Sequence, residues 1–167
     1  MPAEIRSFTD ADIDSMPVLV RRRIEAMVLG PMIRAFQDEF GEQAANKVAQ
    51  RVIEEVARDQ GAAMAIKAGG NNLSTYLANK GAWSANNALE TETLEMDENR
   101  YDYNVTRCRY AEMYKELGMQ DLGFIFSCGR DFNFPLGFNK NMKLSRTQTI
   151  MQGASHCDFR YEMQDAD

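Results

Sequence analysis

The chain has 167 residues, enough to bury a hydrophobic core without disulfides or a structural metal, and too few for two domains of ordinary size. Apolar side chains make up 44% and charged side chains 26% of the sequence, a balance that excludes an intrinsically disordered protein. The net charge of -6 argues against a nucleic-acid partner. Residues 21–23 form the only basic run, which is interpreted as the solvated face of a helix.

Three further features indicate the compartment. No apolar run approaches the roughly 20 residues that a membrane-spanning helix needs. Residues 1–15 are polar and acidic, without the pattern of a secretory signal. The three cysteines are an odd number, which does not suit a disulfide framework. We therefore expect a cytoplasmic protein without a membrane partner, and its cysteines are interpreted as thiols or metal ligands.

Helical spacing of apolar residues dominates the first half of the chain. One amphipathic helix is predicted from residue 17 to residue 36, with a kink or break at Pro31. A second follows at about residues 42–66, and the two form a helical hairpin. A glycine and asparagine cluster ends this hairpin and precedes a short helix at residues 73–80.

The second half changes to the alternation that is typical of strands. Apolar and polar side chains alternate over residues 100–106, and residues 88–96 supply a partner strand across a short turn. Residues 108–117 and 121–128 are predicted to be helical. Two further strands are predicted at residues 143–150 and 157–163.

These elements together predict an α+β fold. The N-terminal helical hairpin packs on a small antiparallel sheet of about four strands that a helical insertion interrupts. We interpret residues 1–167 as a single domain. Its helical part covers residues 1–80, and its sheet-containing part, with the cysteine site, covers residues 88–163.

The three thiols and the only histidine are the main candidates for chemistry. A single histidine excludes multi-histidine metal centres, and no serine-hydrolase motif is convincing. Cys108 lies between Arg107 and Arg109 at a predicted helix start, an arrangement that lowers the pKa of a thiol. Cys128 lies at a predicted helix end and Cys157 at a predicted strand start. The alternative for each cysteine is simple packing in the core.

The last predicted strand divides its side chains between two faces. Alternation puts Cys157 and Phe159 on one face and Asp158 and Arg160 on the other. His156 is adjacent to Cys157 and therefore points away from it. The three cysteines could converge on zinc, although their spacing lacks a close Cys-x2-Cys pair.

Four stretches in the second half of the chain resemble the L-2-amino-thiazoline-4-carboxylic acid hydrolase family. They are residues 108–114 (CRYAEMY), residues 127–128 with Asp131, residues 146–151 (RTQTIM) and residues 153–161 (GASHCDFRY). The resemblance implies an enzyme that opens a five-membered thiazoline ring by adding water at the amidine carbon, which gives a carbamoyl derivative of cysteine. It implies no peptide-bond cleavage and no cofactor.

Roles for individual residues follow from this resemblance. Cys157 ranks first as nucleophile because it lies in the most specific motif, and Cys108 and Cys128 are the other catalytic thiols. Asp131 or His156 would carry protons. The expected substrate-binding residues are Arg146, Arg160 and Asp158, of which Arg160 or Arg146 would bind the substrate carboxylate or orient a catalytic group.

Two other classes of function stay open at this stage. One is a small-molecule-binding or sensory module, similar to vinyl-reductase-type ligand-binding domains, in which the cysteines hold a ligand or zinc. The other is a structural subunit that forms homo-oligomers through its acidic helical hairpin.

Overall fold

The two long helices form a hairpin, as the apolar spacing predicts. The computed structural model describes residues 10–165, so residues 1–9 of the predicted helical part lie outside the described residues. Gly41 connects the helices with a φ of 85°, which favours glycine. The predicted break at Pro31 is wrong, because the helix continues through it. Pro31 lies on the exposed side, where the carbonyl that its ring leaves unpaired is accessible to solvent instead of being buried without a partner.

Seven α-helices and four strands are found in the described part of the chain. No helix among residues 10–165 is long and apolar enough to cross a bilayer. Four short 3-10 or π turns cover Lys80–Trp83, Ala85–Asn87, Phe124–Cys128 and Ile150–Gln152. The helices are α1 (Asp10–Ser15), α2 (Val18–Phe40), α3 (Glu42–Ala68), α4 (Leu73–Asn79), α5 (Arg109–Glu116), α6 (Gln120–Gly123) and α7 (Arg130–Phe138), and the strands are β1 (Leu89–Met96), β2 (Arg100–Cys108), β3 (Met142–Ser145) and β4 (Cys157–Met163).

The strands form one antiparallel sheet in the order β1-β2-β4-β3. Register pairs Val105 with Cys157 and Tyr103 with Phe159, so the apolar alternation of β2 and β4 fills a single buried face. The predicted α+β class, with helices first and an interrupted antiparallel sheet, is confirmed.

The predicted strand at residues 143–150 is wrong beyond Ser145. The Asp158 carboxylate accepts the backbone N–H groups of Thr147 and Gln148, both at 2.9 Å, which removes the donors that a longer strand would need. Arg146 leaves the sheet at this point.

Helix α7, which the sequence pattern does not predict, contacts α3 more extensively than does any other element. Gly137 and Gly61 allow the two backbones to approach closely, since a Cβ atom at Gly137 would overlap the Arg58 carbonyl and one at Gly61 would overlap the Phe134 carbonyl. Pro135 and Gly137 obscured this helix in the sequence, because both residues usually interrupt helices. Its packing on α3 fixes the start of α7 against the rest of the core.

We expect Gly137→Ala to lower the free energy of unfolding by about 3 kcal/mol, since overpacking against backbone atoms cannot be relieved by rotating a side chain. Urea denaturation measures this loss. Gly81→Ala is the matched control, because a Cβ at Gly81 has open space around it. Equal stabilities for the two variants would contradict the close approach of α3 and α7.

Candidate active site

All three cysteines line one cavity between the helical part and the sheet. The cavity has a volume of about 110 Å³. Cys108 packs against both of the large hydrophobic clusters, one formed mainly by the helices and one by the sheet with α4 and α7. Asp131 and Arg146 line the same cavity, together with the aromatic rings of Tyr76, Trp83, Tyr103, Tyr110, Phe134, Phe159 and Tyr161.

Ends of secondary-structure elements bring the thiols together. Cys108 is the last residue of β2, Cys128 closes the π turn before α7, and Cys157 is the first residue of β4. Antiparallel pairing puts the end of one strand beside the start of its neighbour, which explains how residues 49 positions apart line the same cavity. The positions predicted for the three cysteines agree with the structure.

The expected lowering of the Cys108 pKa is wrong. Burial raises the pKa of this thiol to about 11. The flanking arginines point elsewhere, since Arg107 donates to Glu112 at 2.8 Å and Arg109 donates to the carbonyl of Asn86 at 3.2 Å. Arg107 precedes Cys108 in strand β2, so its side chain lies on the opposite side of the strand, and Arg109 is already the first residue of helix α5.

Cys157 has the surroundings that best stabilise a thiolate. Burial raises its pKa, but the backbone N–H of Ile150 donates to Sγ at 3.2 Å and the positive charge of Arg146 also acts to lower the pKa. Burial raises the pKa of Cys128 well above its usual value, with the Asp131 charge acting in the same direction. Cys157 is therefore the thiol for which a hydrogen bond and a nearby cation oppose burial.

Asp131 and Arg146 form an ion pair at the cavity, in which the guanidinium is buried and the carboxylate is partly exposed. Arg146 also donates to the Cys128 carbonyl at 3.2 Å, and its guanidinium carbon lies 4.8 Å from the centre of the Phe132 ring. The Arg146 side chain is only 2% exposed, whereas that of Asp131 is 34% exposed. Burial raises the pKa of Asp131, although the charge of Arg146 acts in the opposite direction. This carboxyl can therefore hold a proton closer to neutral pH than an ordinary aspartate.

Two more buried arginines line the cavity. Arg130 donates to the Phe126 carbonyl at 2.8 Å and to Gln60 at 3.1 Å, and Arg22 donates to Glu25 at 2.7 Å. The interpretation of residues 21–23 as a solvated face is wrong for Arg22, which is 8% exposed. Its position four residues after buried Val18 and four before buried Ala26 was the signal for burial.

His156, Asp158 and Arg160 lie outside the cavity lining. Gln148 Nε2 is 3.1 Å from His156 Nε2, and Asp158 holds the backbone after β3. Arg160 donates to the Tyr103 carbonyl at 2.8 Å and to Asn104 at 3.0 Å, on the opposite face of β4 from Cys157. The structure thus brings Cys108, Cys128, Cys157, Asp131 and Arg146 together but not these three residues.

The suggested zinc site finds no support in the geometry. Among residues 10–165, no three cysteine, histidine, aspartate or glutamate side chains form a group that could hold a metal ion.

A family model described as L-2-amino-thiazoline-4-carboxylic acid hydrolase matches residues 21–161. The chain belongs to this family. The match contains all of the cavity-lining cysteines, Asp131 and all of the cavity arginines. The family name implies a hydrolase, and the resemblance found in the sequence is confirmed.

Solved structures share the fold of this hydrolase-family chain at low identity. The phenol-responsive sensory domain of the transcription activator PoxR, with phenol, has a TM-score of 0.51 at 12% identity, over 81% of this chain and 72% of that one. A trafficking protein particle complex subunit 3 from Naegleria fowleri, covalently bound to palmitic acid, has a TM-score of 0.52 at 8% identity, over 87% of this chain and 96% of that one. No curated protein matches the sequence.

The raised thiol pKa values predict slow alkylation of this family member. Only the thiolate reacts, so the iodoacetamide rate is expected to rise about tenfold per pH unit from about pH 7 to about pH 9. Peptide mapping after timed alkylation measures the rate at each cysteine. A rate that levels off below about pH 8 at any of them would mean that its pKa is lowered instead.

Proposed function

We propose that this chain hydrolyses a small cyclic amidine that carries a carboxylate, of the L-2-amino-thiazoline-4-carboxylate type, inside the cavity. One observation carries the proposal: three thiols, a partly buried carboxyl with a raised pKa and several cations line the same small space. The family match supports hydrolysis, and the chemistry of the lining residues supports this substrate class.

The charge of the cavity favours such a substrate, and its size sets an upper limit on the ring that can enter. A cavity of about 150 Å³ accommodates benzene, so a volume near 110 Å³ restricts the ligand to about one small ring. Four cations line the cavity against one carboxyl, Asp131, so a negatively charged ligand is favoured. The four are Arg22, Lys80, Arg130 and Arg146.

The proposed first step joins Cys157 to the substrate. Sγ attacks the amidine carbon between the ring sulfur and the nitrogens, and the basic amidine nitrogen accepts the thiol proton. This transfer makes a preformed thiolate unnecessary, which agrees with the raised pKa of Cys157. The bond from the amidine carbon to the ring sulfur then breaks, and the electron pair goes to the sulfur.

Asp131 supplies the proton that the departing sulfur needs. The carboxylate that pairs with Arg146 in the resting protein takes up a proton when the substrate binds, which its raised pKa favours, and it is a carboxylate again after the step. Water then attacks the carbon of the Cys157 adduct and returns a proton to Asp131. Collapse of this second adduct expels Cys157 as a thiol and leaves a carbamoyl group on the substrate nitrogen, so the net change is the addition of one water.

Arginine positions the substrate in this scheme. Arg146 pairs with Asp131, whereas Arg22 and Arg130 share a single carboxylate, that of Glu25. Arg22 and Arg130 together therefore have one positive charge in excess, so they are better suited to hold the substrate carboxylate. We expect 2-aminothiazoline, which lacks the carboxylate, to show a kcat/KM at least about 100-fold lower than that of the thiazoline acid, because charge-assisted contacts to arginine are lost. Similar values for the two compounds would contradict this assignment.

The test is incubation of the purified protein with L-2-amino-thiazoline-4-carboxylate, with carbamoyl-cysteine followed by mass spectrometry. The released thiol gives a second readout through a chromogenic thiol reagent. We expect multiple turnovers without added metal or cofactor. If the folded protein formed no product, the proposal for this substrate would be contradicted.

A small-molecule-binding module is the second candidate. The fold resemblance to a phenol-bound sensory domain favours it, as do the seven aromatic rings that line the cavity. Calorimetry with the thiazoline acid and with phenol separates the candidates. Binding of either compound without any conversion would favour the module over the enzyme.

A further inference from the structure

Helix α2 presents an apolar stripe to solvent. Its members recur mainly at intervals of four residues, so they lie along one side of the helix, opposite the buried side. They are between 46% and 66% exposed. The stripe consists of Ile24, Met27, Val28, Met32, Phe36 and Phe40.

Helix α3 continues this apolar surface. Val48, Val52 and Val56 are exposed at the same four-residue spacing, and an apolar groove of about 490 Å³ lies between the two helices. Nine large side chains that are about half exposed leave of the order of 700 Å² of apolar surface. The largest patch on a typical monomer is about 300–600 Å², and a stable interface buries about 800 Å² per partner. The area therefore matches what one protein partner covers.

A line of charged residues follows the edge of this surface on α3. Lys47, Arg51, Glu55 and Asp59 are also spaced by four residues, and all four are exposed. None of them forms an ion pair within residues 10–165. The N-terminal half of the line is basic and the C-terminal half is acidic. The line is therefore complementary in charge to the same line of a second copy that runs in the opposite direction.

We propose that the hairpin is the interface of a homodimer, in which α3 packs antiparallel to α3 of a second copy. A two-fold axis near Ile53 would pair Lys47 with Asp59 and Arg51 with Glu55, since both pairs are centred on position 53. The apolar valines are centred on Val52, within one residue of the same axis. Each copy contributes two basic residues, so four ion pairs flank the contact.

The pattern favours a second copy over an unrelated partner. A two-fold interface uses the same patch on both chains, which requires a self-complementary surface. A parallel arrangement in register would place like charges opposite each other at all four positions, so it is disfavoured. The proposal is independent of the hydrolase assignment, because the charged line does not line the cysteine cavity.

Charge reversal tests the proposal directly. The variants Lys47→Glu/Arg51→Glu and Glu55→Lys/Asp59→Lys each give a line of a single sign. We expect each to be monomeric alone, with a dimer dissociation constant at least about 100-fold above that of the unmodified protein. A one-to-one mixture of the two is expected to form a heterodimer, and the fourfold variant that combines them is expected to form a homodimer again.

Sedimentation equilibrium measures these states, and circular dichroism verifies folding. Lys140→Glu/Lys143→Glu is the matched control, because it reverses two exposed charges away from the hairpin and should stay dimeric. The proposal is overturned by a monomeric unmodified protein, by single-sign variants that remain dimeric, or by a mixture that fails to associate.

Discussion

Cys157→Ser is expected to reduce kcat/KM for the thiazoline acid by at least about 10³-fold, because a hydroxyl is a far weaker nucleophile than a thiol. The serine oxygen can still accept the Ile150 N–H that now binds Sγ, so the fold should persist. Initial rates of carbamoyl-cysteine formation give the activity, and urea denaturation gives the stability.

The other two thiols provide the matched controls. Cys108→Ser and Cys128→Ser change the same cavity by the same atom, but neither thiol combines a donated hydrogen bond with the nearby charge of Arg146 as Cys157 does. We expect both to retain activity within about tenfold of the unmodified protein. If one of these variants lost turnover while Cys157→Ser stayed active, the cysteine changed in that variant would be the nucleophile.

Asp131→Asn is expected to cost both stability and activity. Without the carboxylate, the buried guanidinium of Arg146 has no counterion, which should lower the free energy of unfolding by about 3 kcal/mol. Loss of the proton carrier should lower kcat by at least about 10²-fold. Denaturation curves and initial rates measure the two effects separately.

A double variant distinguishes an ion pair from independent contacts. Asp131→Asn with Arg146→Met removes both charges, so its loss of stability should be smaller than the sum of the two single losses. Activity should not recover, because the acid is still missing. Additive losses would show that the two charges do not stabilise each other.

Periodicity was sufficient to predict much of the fold. The helical spacing of α2 and α3 and the alternation in β2 and β4 arise from burial of one side of each element, which the sequence records directly. The strand predicted at residues 143–150 is too long, since β3 ends at Ser145. The Asp158 side chain that binds the backbone beyond this point is distant in the sequence. Helix α7 was missed because its stability depends on close contact with α3.

The candidate site was only partly predictable. The sequence correctly predicts that each of the three cysteines lies at an end of a helix or strand. The motif of the last strand favours Cys157 among them. Sequence adjacency misled for Cys108, since the neighbouring arginines lie away from it. Proximity to Cys157 in the sequence also predicts His156 and Arg160 as site residues, but both lie outside the cavity lining.

The neighbours of a residue in the sequence do not show whether its side chain is buried. The basic run at residues 21–23 predicts a solvated Arg22, yet this residue lies on the buried side of α2 and lines the cavity. The raised pKa values of the thiols likewise arise from walls contributed by distant helices and strands. Tertiary packing therefore decides which charges reach the cavity.

Mass spectrometry of the reaction, quenched during turnover of the thiazoline acid, tests the central claim most directly. We expect a protein species heavier by one substrate molecule, with the added mass on the peptide that contains Cys157 and absent from Cys157→Ser. Formation of carbamoyl-cysteine with the added mass on another residue, or with no covalent species at all, would contradict Cys157 as the nucleophile of this cavity.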